Sequence, residues 1–291
     1  MIRSLLFVPG NNPGMIQSAD VFGADGVIFD LEDSVHIYEK DNARMLVKSF
    51  LRNHPIHPAK IVIRVNSVDS PFFSADLEAV VGDEIDYVLL PKARISDIKM
   101  LTEKLETIEK EKKLKKQIAI MPLIESAVSL VETEGIAEFP RVSALMFGAE
   151  DFTADMGITR TKQGKELAYP RAKIAVACHA YGVQAIDTPF TDVDDEDGLF
   201  RDASEAASLG FAGKAAIHPR QIEIINRVFS PSDDNIIWAK RIFEAKKEAD
   251  QKGHGVFSLD GKMVDKPVIS RAETIREKAI ACKKWDDGFE K

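Results

Sequence analysis

Short apolar runs recur along the chain, each followed by a segment that mixes polar and apolar residues at helical spacing. The runs are Ser4–Val8, Gly26–Asp30, Ile61–Asn66, Tyr87–Pro91, Ile118–Ile124, Ser143–Phe147, Gln184–Asp187 and Lys214–Ile217. Between them lie segments such as Ile95–Leu114 and Ala168–Tyr181, whose apolar residues fall three and four apart. Strand and helix in alternation predict parallel strands joined by crossover helices. Eight such units within about 220 residues predict an α/β chain closed into a (β/α)8 TIM barrel. An open doubly wound sheet is the alternative. It would normally carry a glycine-rich phosphate turn after its first strand, and neither G-x-G-x-x-G nor G-x-x-x-x-G-K-[ST] occurs.

The rhythm stops after the eighth run. Pro231–Lys252 reads as a charged helix, and Gly253–Asp265 (GHGVFSLDGKMVD) as two short strands around an Asp-Gly turn. Pro267 then opens a final helix, in whose first turn proline is tolerated. The predicted organisation is a barrel over residues 1–230 and a C-terminal helix–hairpin–helix extension over residues 231–291.

Composition narrows the function. Of 291 residues, 45% are hydrophobic and 30% charged, as in a chain with a large core. A formal net charge of −8 repels phosphate backbones and argues against nucleic acid as a partner. The two cysteines, Cys178 and Cys282, are too few for a disulfide framework or a structural zinc site. The opening MIRSLLFVPG reads as a strand and not as a signal peptide, and no stretch reaches the ~20 apolar residues of a membrane span. A cytoplasmic location is therefore expected. The Lys- and Glu-rich run Glu103–Lys116 reads as a solvated helix face.

In a (β/α)8 enzyme the active site lies at the C-terminal strand ends. The second run ends in FDLEDSV with Asp30, Glu32 and Asp33, and the third in IRVN with Arg64 and Asn66. Lys92 follows the fourth, Glu125 the fifth, and Glu150 and Asp151 the sixth; Asp187 closes the seventh and His218 follows the eighth. Carboxylates without a His or Cys cluster suit a hard cation, Mg²⁺ or Mn²⁺, better than zinc. Glu125 and Asp151, on adjacent strand ends, are the candidate ligand pair. The Arg64 guanidinium is placed to grip a substrate carboxylate through two parallel hydrogen bonds. A metal, an arginine and spare carboxylates together suit a small oxo- or hydroxy-acid and an aldol- or Claisen-type cleavage. Plainer readings exist. Asp30, Glu32 and Asp33, with Ser34, could begin a helix, Glu125 could cap the helix near Ser126, and Arg64 could be a buried ion-pair partner. Lys92 as a Schiff-base lysine is a further option on this fold. His179 and His218 read as structural, and Asp192–Asp197 as a solvated loop leading into a helix.

The strings RSLLFVPGNNP, FDLEDSV, EKDNAR, IRVNS, LPK, LIES, GAEDF, QAIDTP, HPRQI and SLDGKMVD, in this order from about residue 2 to about residue 275, resemble the citrate lyase β-subunit family. They also resemble the acyl-CoA lyases for citramalyl- and malyl-CoA, within the HpcH/HpaI aldolases. The resemblance implies a (β/α)8 barrel, Mg²⁺ and cleavage of a 3-hydroxy-acyl thioester, carried on CoA or an acyl-carrier protein, to a keto acid such as oxaloacetate and an acetyl thioester. Carried over by motif, Glu125 and Asp151 are the metal ligands, and Arg64 binds the keto-acid part, which Glu125 also contacts. Arg3 lies where the family approaches the phosphates of the carrier. Asp265 reaches a neighbouring subunit's site, or else is only a turn residue in the tail hairpin. Glu32, Asp33 or a water held by them is the expected base. A homotrimer or hexamer is implied, with the extension contributing to its contacts and with citrate lyase α and γ subunits as possible partners. A non-catalytic subunit that kept the barrel, or phosphoryl transfer on a related barrel, are the alternatives from other functional classes.

Overall fold

A computed structural model describes residues 1–54, 56, 58–251 and 256–286. They form two compact units, Ile2–Phe229 and the described part of Ser230–Lys291 together with Met1.

The larger unit is a closed barrel in which each strand is hydrogen-bonded to its sequence neighbours and β1 to β8. The strands are β1 Ser4–Pro9, β2 Gly26–Asp30, β3 Lys60–Arg64, β4 Tyr87–Leu90, β5 Ala119–Ile124, β6 Ala144–Phe147, β7 Gln184–Asp187 and β8 Gly213–Ala216. The helices of this unit are α1 Pro13–Gln17, α2 Lys40–Asn53, α3 Phe73–Val80, α4 Ile95–Lys112, α5 Ala127–Val131, α6 Thr133–Ala137, α7 Ala149–Asp155, α8 Ala168–Tyr181, α9 Glu196–Ser208 and α10 Arg220–Phe229. All eight runs read from the sequence are strands, displaced by no more than two residues at either end. All eight pairings are parallel. Closure needs the backbones of β1 and β8 in near contact. A Cβ on Gly213 would lie 2.3 Å from the Ile2 carbonyl oxygen, so only glycine fits there.

Alternation along the strands sorts their side chains into two layers. Leu5, Ile28, Val62, Leu89, Met121, Leu123, Met146, Ile186 and Ala215 fill the barrel interior. Their neighbours in sequence, among them Leu6, Val27, Phe29, Ile63, Val88, Ile124, Leu145 and Phe147, pack outward against the helices. The interior plug supports the C-terminal mouth from below. Residues two places beyond it on each strand, including Asp30, Arg64 and Glu125, are carried to that mouth by the same period of two.

The smaller unit holds α11 Asp233–Gln251, the antiparallel pair β9 Phe257–Leu259 and β10 Lys262–Val264, and α12 Lys266–Ala281. Asp260 and Gly261 join the strands with φ of +51° and +73°, the left-handed turn that Asp-Gly favours. Ala239, Ile242, Val264 and Ala272 form its core, with Trp238, Phe243, Phe257 and Trp285 packed on it. Pro267 stands in the first turn of α12. Lys252 and Gly253–Gly255, the sequence-predicted end of α11 and start of the hairpin, lie outside the described residues.

Candidate active site

Asp30 and Arg64 are register partners at the ends of β2 and β3. Arg64 donates from Nε to Asp30 Oδ1 at 2.7 Å and from Nη2 to Asp30 Oδ2 at 2.6 Å. The sequence offered Arg64 either as a ligand-binding group or as a buried ion-pair partner, without naming Asp30 as that partner. The Arg64 Nη1 atom lies 3.0 Å from Glu32 Oε2 and 3.5 Å from Asp33 Oδ2. Below it, the guanidinium stacks over the Phe7 ring at 5.1 Å. Burial pushes the Asp30 carboxyl up, but the hydrogen bonds and charge of Arg64, with the Ser34 side chain and the Glu32 N–H group, outweigh it and hold Asp30 below the usual carboxylate range. Burial lowers the tendency of Arg64 to stay charged, and its three acidic neighbours reverse this, so it remains a cation.

No helix begins at Asp33 or Ser34. The segment after β2 is a turn, in which Asp30 accepts the N–H groups of Glu32 at 2.9 Å and Ser34 at 3.0 Å. The Lys40 ammonium fastens it from beneath, donating to the Leu31 and Glu32 carbonyls. Glu32 is buried and Asp33 is exposed. Burial and the charges of Asp33 and Asp30, against the pull of Arg64, push Glu32 up to about 7. Its Oε2 atom is within ion-pair distance of Arg64 yet has no aligned hydrogen-bond donor.

Glu125 follows β5 and is 4% exposed, so its carboxyl is fully withdrawn from bulk water. Its Oε1 atom accepts the Lys92 backbone N–H at 2.6 Å. Lys92 presents that N–H from a left-handed conformation, φ +50°, uncommon for a residue with a side chain. The Lys92 side chain itself is exposed, which removes the desolvation a Schiff-base lysine relies on. Nor does Glu125 cap α5; Ser126 does, accepting the Ser129 N–H. Gly148, hydrogen-bonded to the Ile124 carbonyl at 2.9 Å, makes room on the other side. A Cβ there would stand 2.8 Å from Glu125 Cβ and 2.9 Å from Oε2. Asp151 lies three residues on, in the first turn of α7. Burial pushes Glu125 up to about 8, eased by the Lys92 N–H, raised further by the charges of Asp151 and Glu32, and lowered by Arg64. Glu125, Asp151, Glu32 and Arg64 therefore share one electrostatic environment.

A cavity of about 330 Å³ opens against Arg64 and Asp30, walled by Phe7, Pro9, Met15, Ser34, Pro189 and Ile217. Arg160 ties its rim, bonding to Glu150 at 2.5 Å and to the Pro189 carbonyl at 2.8 Å.

Other candidates lie elsewhere. Asp187 is turned to the helix side, where it meets Arg171 and Lys214. Asn66 is buried with Asp76. The assignment of Arg3 to carrier phosphates needs correction. Arg3 precedes β1 and so stands at the N-terminal end of the barrel, opposite the mouth, with its guanidinium gripping Asp25 at 2.7 Å on both oxygens. Asp265 belongs to the smaller unit, where its carboxylate caps α12 by accepting the Val268 N–H. Among the described residues, no three or more His, Cys, Asp or Glu side chains are grouped as a metal-binding cluster.

A family model described as HpcH/HpaI aldolase/citrate lyase matches residues 3–219. The citrate lyase subunit beta of Leuconostoc mesenteroides subsp. cremoris is 41% identical, over 96% of this chain and 93% of that one. The mitochondrial citramalyl-CoA lyase of Rattus norvegicus is 34% identical, over 97% and 87%. A crystal structure of CitE from Mycobacterium tuberculosis, in complex with magnesium, acetoacetate and coenzyme A, superposes with a TM-score of 0.77 at 30% identity, covering 95% of this chain and 97% of that one. With a matching barrel, a carboxylate-rich mouth and relatives that span nearly its whole length, the chain belongs to the HpcH/HpaI aldolase/citrate lyase family.

Proposed function

We propose that this chain is a Mg²⁺-dependent carbon–carbon lyase that cleaves a citryl thioester to oxaloacetate and an acetyl thioester. The observation that carries the reading is the barrel mouth itself, where Glu32 and Glu125 are buried, the Arg64 guanidinium lies 3.0 Å from Glu32, and Asp151 is near enough to raise the Glu125 carboxyl.

The residues suit a divalent cation. Glu125 is buried beside further negative charge and is pushed up to about 8, a cost that a bound cation would remove. Gly148 keeps one face of its carboxylate clear of side chain. Two carboxylates, the rest left to water and substrate, is an ordinary Mg²⁺ set. Glu125 and Asp151 would hold the ion, which when bound supplies Lewis-acid stabilisation of negative charge on the substrate oxygen.

Arg64 orients the carboxylate of the keto-acid portion, using the N–H groups that Asp30 leaves open. Glu32, buried and poised near neutrality, accepts the proton of the 3-hydroxyl; Asp33, more exposed, is less suited to that role. The hydroxyl oxygen becomes a ketone as the C–C bond breaks, and the bonding pair passes to the carbon next to the thioester. Asp265 of a second copy delivers a proton to that carbon and completes the acetyl thioester. This places the smaller unit in the contacts of a homotrimer or hexamer. CoA or an acyl-carrier protein bears the thioester, and citrate lyase α and γ subunits are the partners that fit a β-type subunit. A cytoplasmic setting agrees with two unpaired cysteines and with no described helix long and apolar enough to cross a membrane.

Citramalyl- or malyl-CoA is the second substrate reading, favoured by the citramalyl-CoA lyase relatives. Citryl-, citramalyl- and malyl-CoA should be supplied side by side, with released keto acid measured by a coupled reductase, with and without EDTA. Oxaloacetate from the citryl substrate, abolished by EDTA and restored by Mg²⁺, is the expected result. No keto acid from any of the three would end the lyase reading.

A further inference from the structure

We infer that Asp30 is the positioning residue of this site, fixing the Arg64 guanidinium and the Glu32 turn with a single carboxylate; the inference rests on the proposed role of Arg64. Each Asp30 oxygen takes one Arg64 N–H, at 2.7 and 2.6 Å, and one backbone N–H, at 2.9 Å from Glu32 and 3.0 Å from Ser34. Four donors on a side chain 2% exposed leave it no freedom to turn and little capacity to bind anything else. It is not placed to touch substrate as a base, because its four donors saturate both oxygens and, against the effect of burial, hold it ionised.

The geometry has a chemical purpose. An arginine on a strand end has several rotatable bonds, and a ligand would bear the entropy of fixing them. Asp30 takes Nε and one N–H of Nη2, the edge most often offered to a carboxylate, so the ligand meets the N–H groups left on Nη1 and Nη2. The Phe7 ring, 5.1 Å from the guanidinium carbon, packs against the same group. Through its bonds to the Glu32 and Ser34 N–H groups, the same carboxylate sets where the Glu32 side chain leaves the backbone. Arg64 and Glu32 are thus placed relative to each other by one shared anchor. Two residues that would act on adjacent atoms of a substrate keep a constant separation.

Asp30→Asn has nearly the same shape but loses the charge and one acceptor. Its effect should pass through Arg64, so a double-mutant cycle with Arg64→Ala isolates it. Binding of oxaloacetate in the presence of Mg²⁺ is the first readout, with thermal unfolding to confirm that each variant is folded. Asp30→Asn should weaken oxaloacetate about 10- to 100-fold in the parent chain, but by less than about twofold when Arg64 is already alanine. Equal losses in the two backgrounds, or no loss in the parent, would overturn the inference.

The second readout needs no substrate. Phenylglyoxal labelling of Arg64, followed by peptide mass spectrometry, should be slow in the parent and several times faster in Asp30→Asn. Equal labelling rates would also overturn it. A parent chain that neither binds oxaloacetate nor cleaves a thioester would refute the proposed function, while the labelling would still decide whether Asp30 holds the guanidinium.

Discussion

At the scale of single residues, the site depends on groups that touch no ligand. Glu125 is steered by a main-chain N–H from Lys92 and by the missing side chain of Gly148. Gly148→Ala should push the Glu125 carboxylate aside, since a Cβ at 2.8–2.9 Å from two of its atoms cannot be absorbed without movement. We expect the Mg²⁺ concentration for half-maximal activity to rise by about tenfold or more, read from a Mg²⁺ titration. Glu125→Gln and Asp151→Asn should abolish the Mg²⁺-dependent cleavage with the fold intact by circular dichroism. Full activity in either would defeat the metal assignment. Glu125 and Arg64 stand out as candidates in the sequence because a period of two carries polar residues beyond an apolar plug to the mouth; Asp151, in the first turn of α7, stands out only by following the sixth apolar run. The left-handed Lys92 does not, because nothing in LPK marks a backbone reversal. The Asp30 grip on Arg64 was hidden for another reason: it joins residues 34 apart, and FDLED offers three acids to choose from. Arg3 was misplaced by motif alone, although barrel polarity already puts a residue before a strand at the end away from the chemistry.

At the scale of elements, a buried ion network holds β7 and β8 to α8 and α9. Asp187 accepts from Arg171 and Lys214, and Asp202 from the same two cations, at 2.5–3.0 Å. Arg171, Asp187 and Lys214 are wholly buried, so two positive and two negative charges balance where water cannot reach. Asp187→Asn would leave a buried cation excess and should destabilise the chain by about 3–5 kcal/mol in denaturant unfolding. The network also sets a pH dependence. Burial pushes Asp202 up, but Lys214 and Arg171 outweigh it and hold the folded-state carboxyl below its unfolded value of about 3.9. A depressed carboxyl stabilises the fold above the unfolded value and loses that contribution as pH falls through the folded one. Stability measured from pH 6 down to pH 2 should therefore fall mainly below pH ~4, and Asp202→Asn should flatten that fall. An unchanged acid limb would show that the network has no part in it. Strand order and helix positions were legible here, since each run is bounded by helical spacing. The network was not, because Asp187 ends its strand just as the mouth residues do; only the outward phase of the pleat separates them.

At the scale of the whole molecule, the proposed chemistry draws Asp265 and Arg64 from different copies of the chain. Asp265→Asn and Arg64→Ala should each be nearly inactive alone. Mixed after dissociation and reassembly, they should recover up to about a quarter of parental activity, since some sites then receive both intact residues. Recovery no greater than the sum of the separate variants would count against a shared site. In isolation, Asp265 is satisfied as the N-cap of α12, a role that asparagine fills about as well, so Asp265→Asn should leave that helix start intact.

Barrel closure also governs the order of events at the ribosome. β1 pairs on one side with β2 but on the other with β8, roughly two hundred residues later. At about 5–20 residues per second, the first strand waits some 10–40 s with one edge bare before its last neighbour is synthesised. An apolar edge so long unpaired is an invitation to chaperones and to aggregation alike. Heterologous expression should therefore gain more from slower growth at low temperature than from any stabilising change in the finished enzyme.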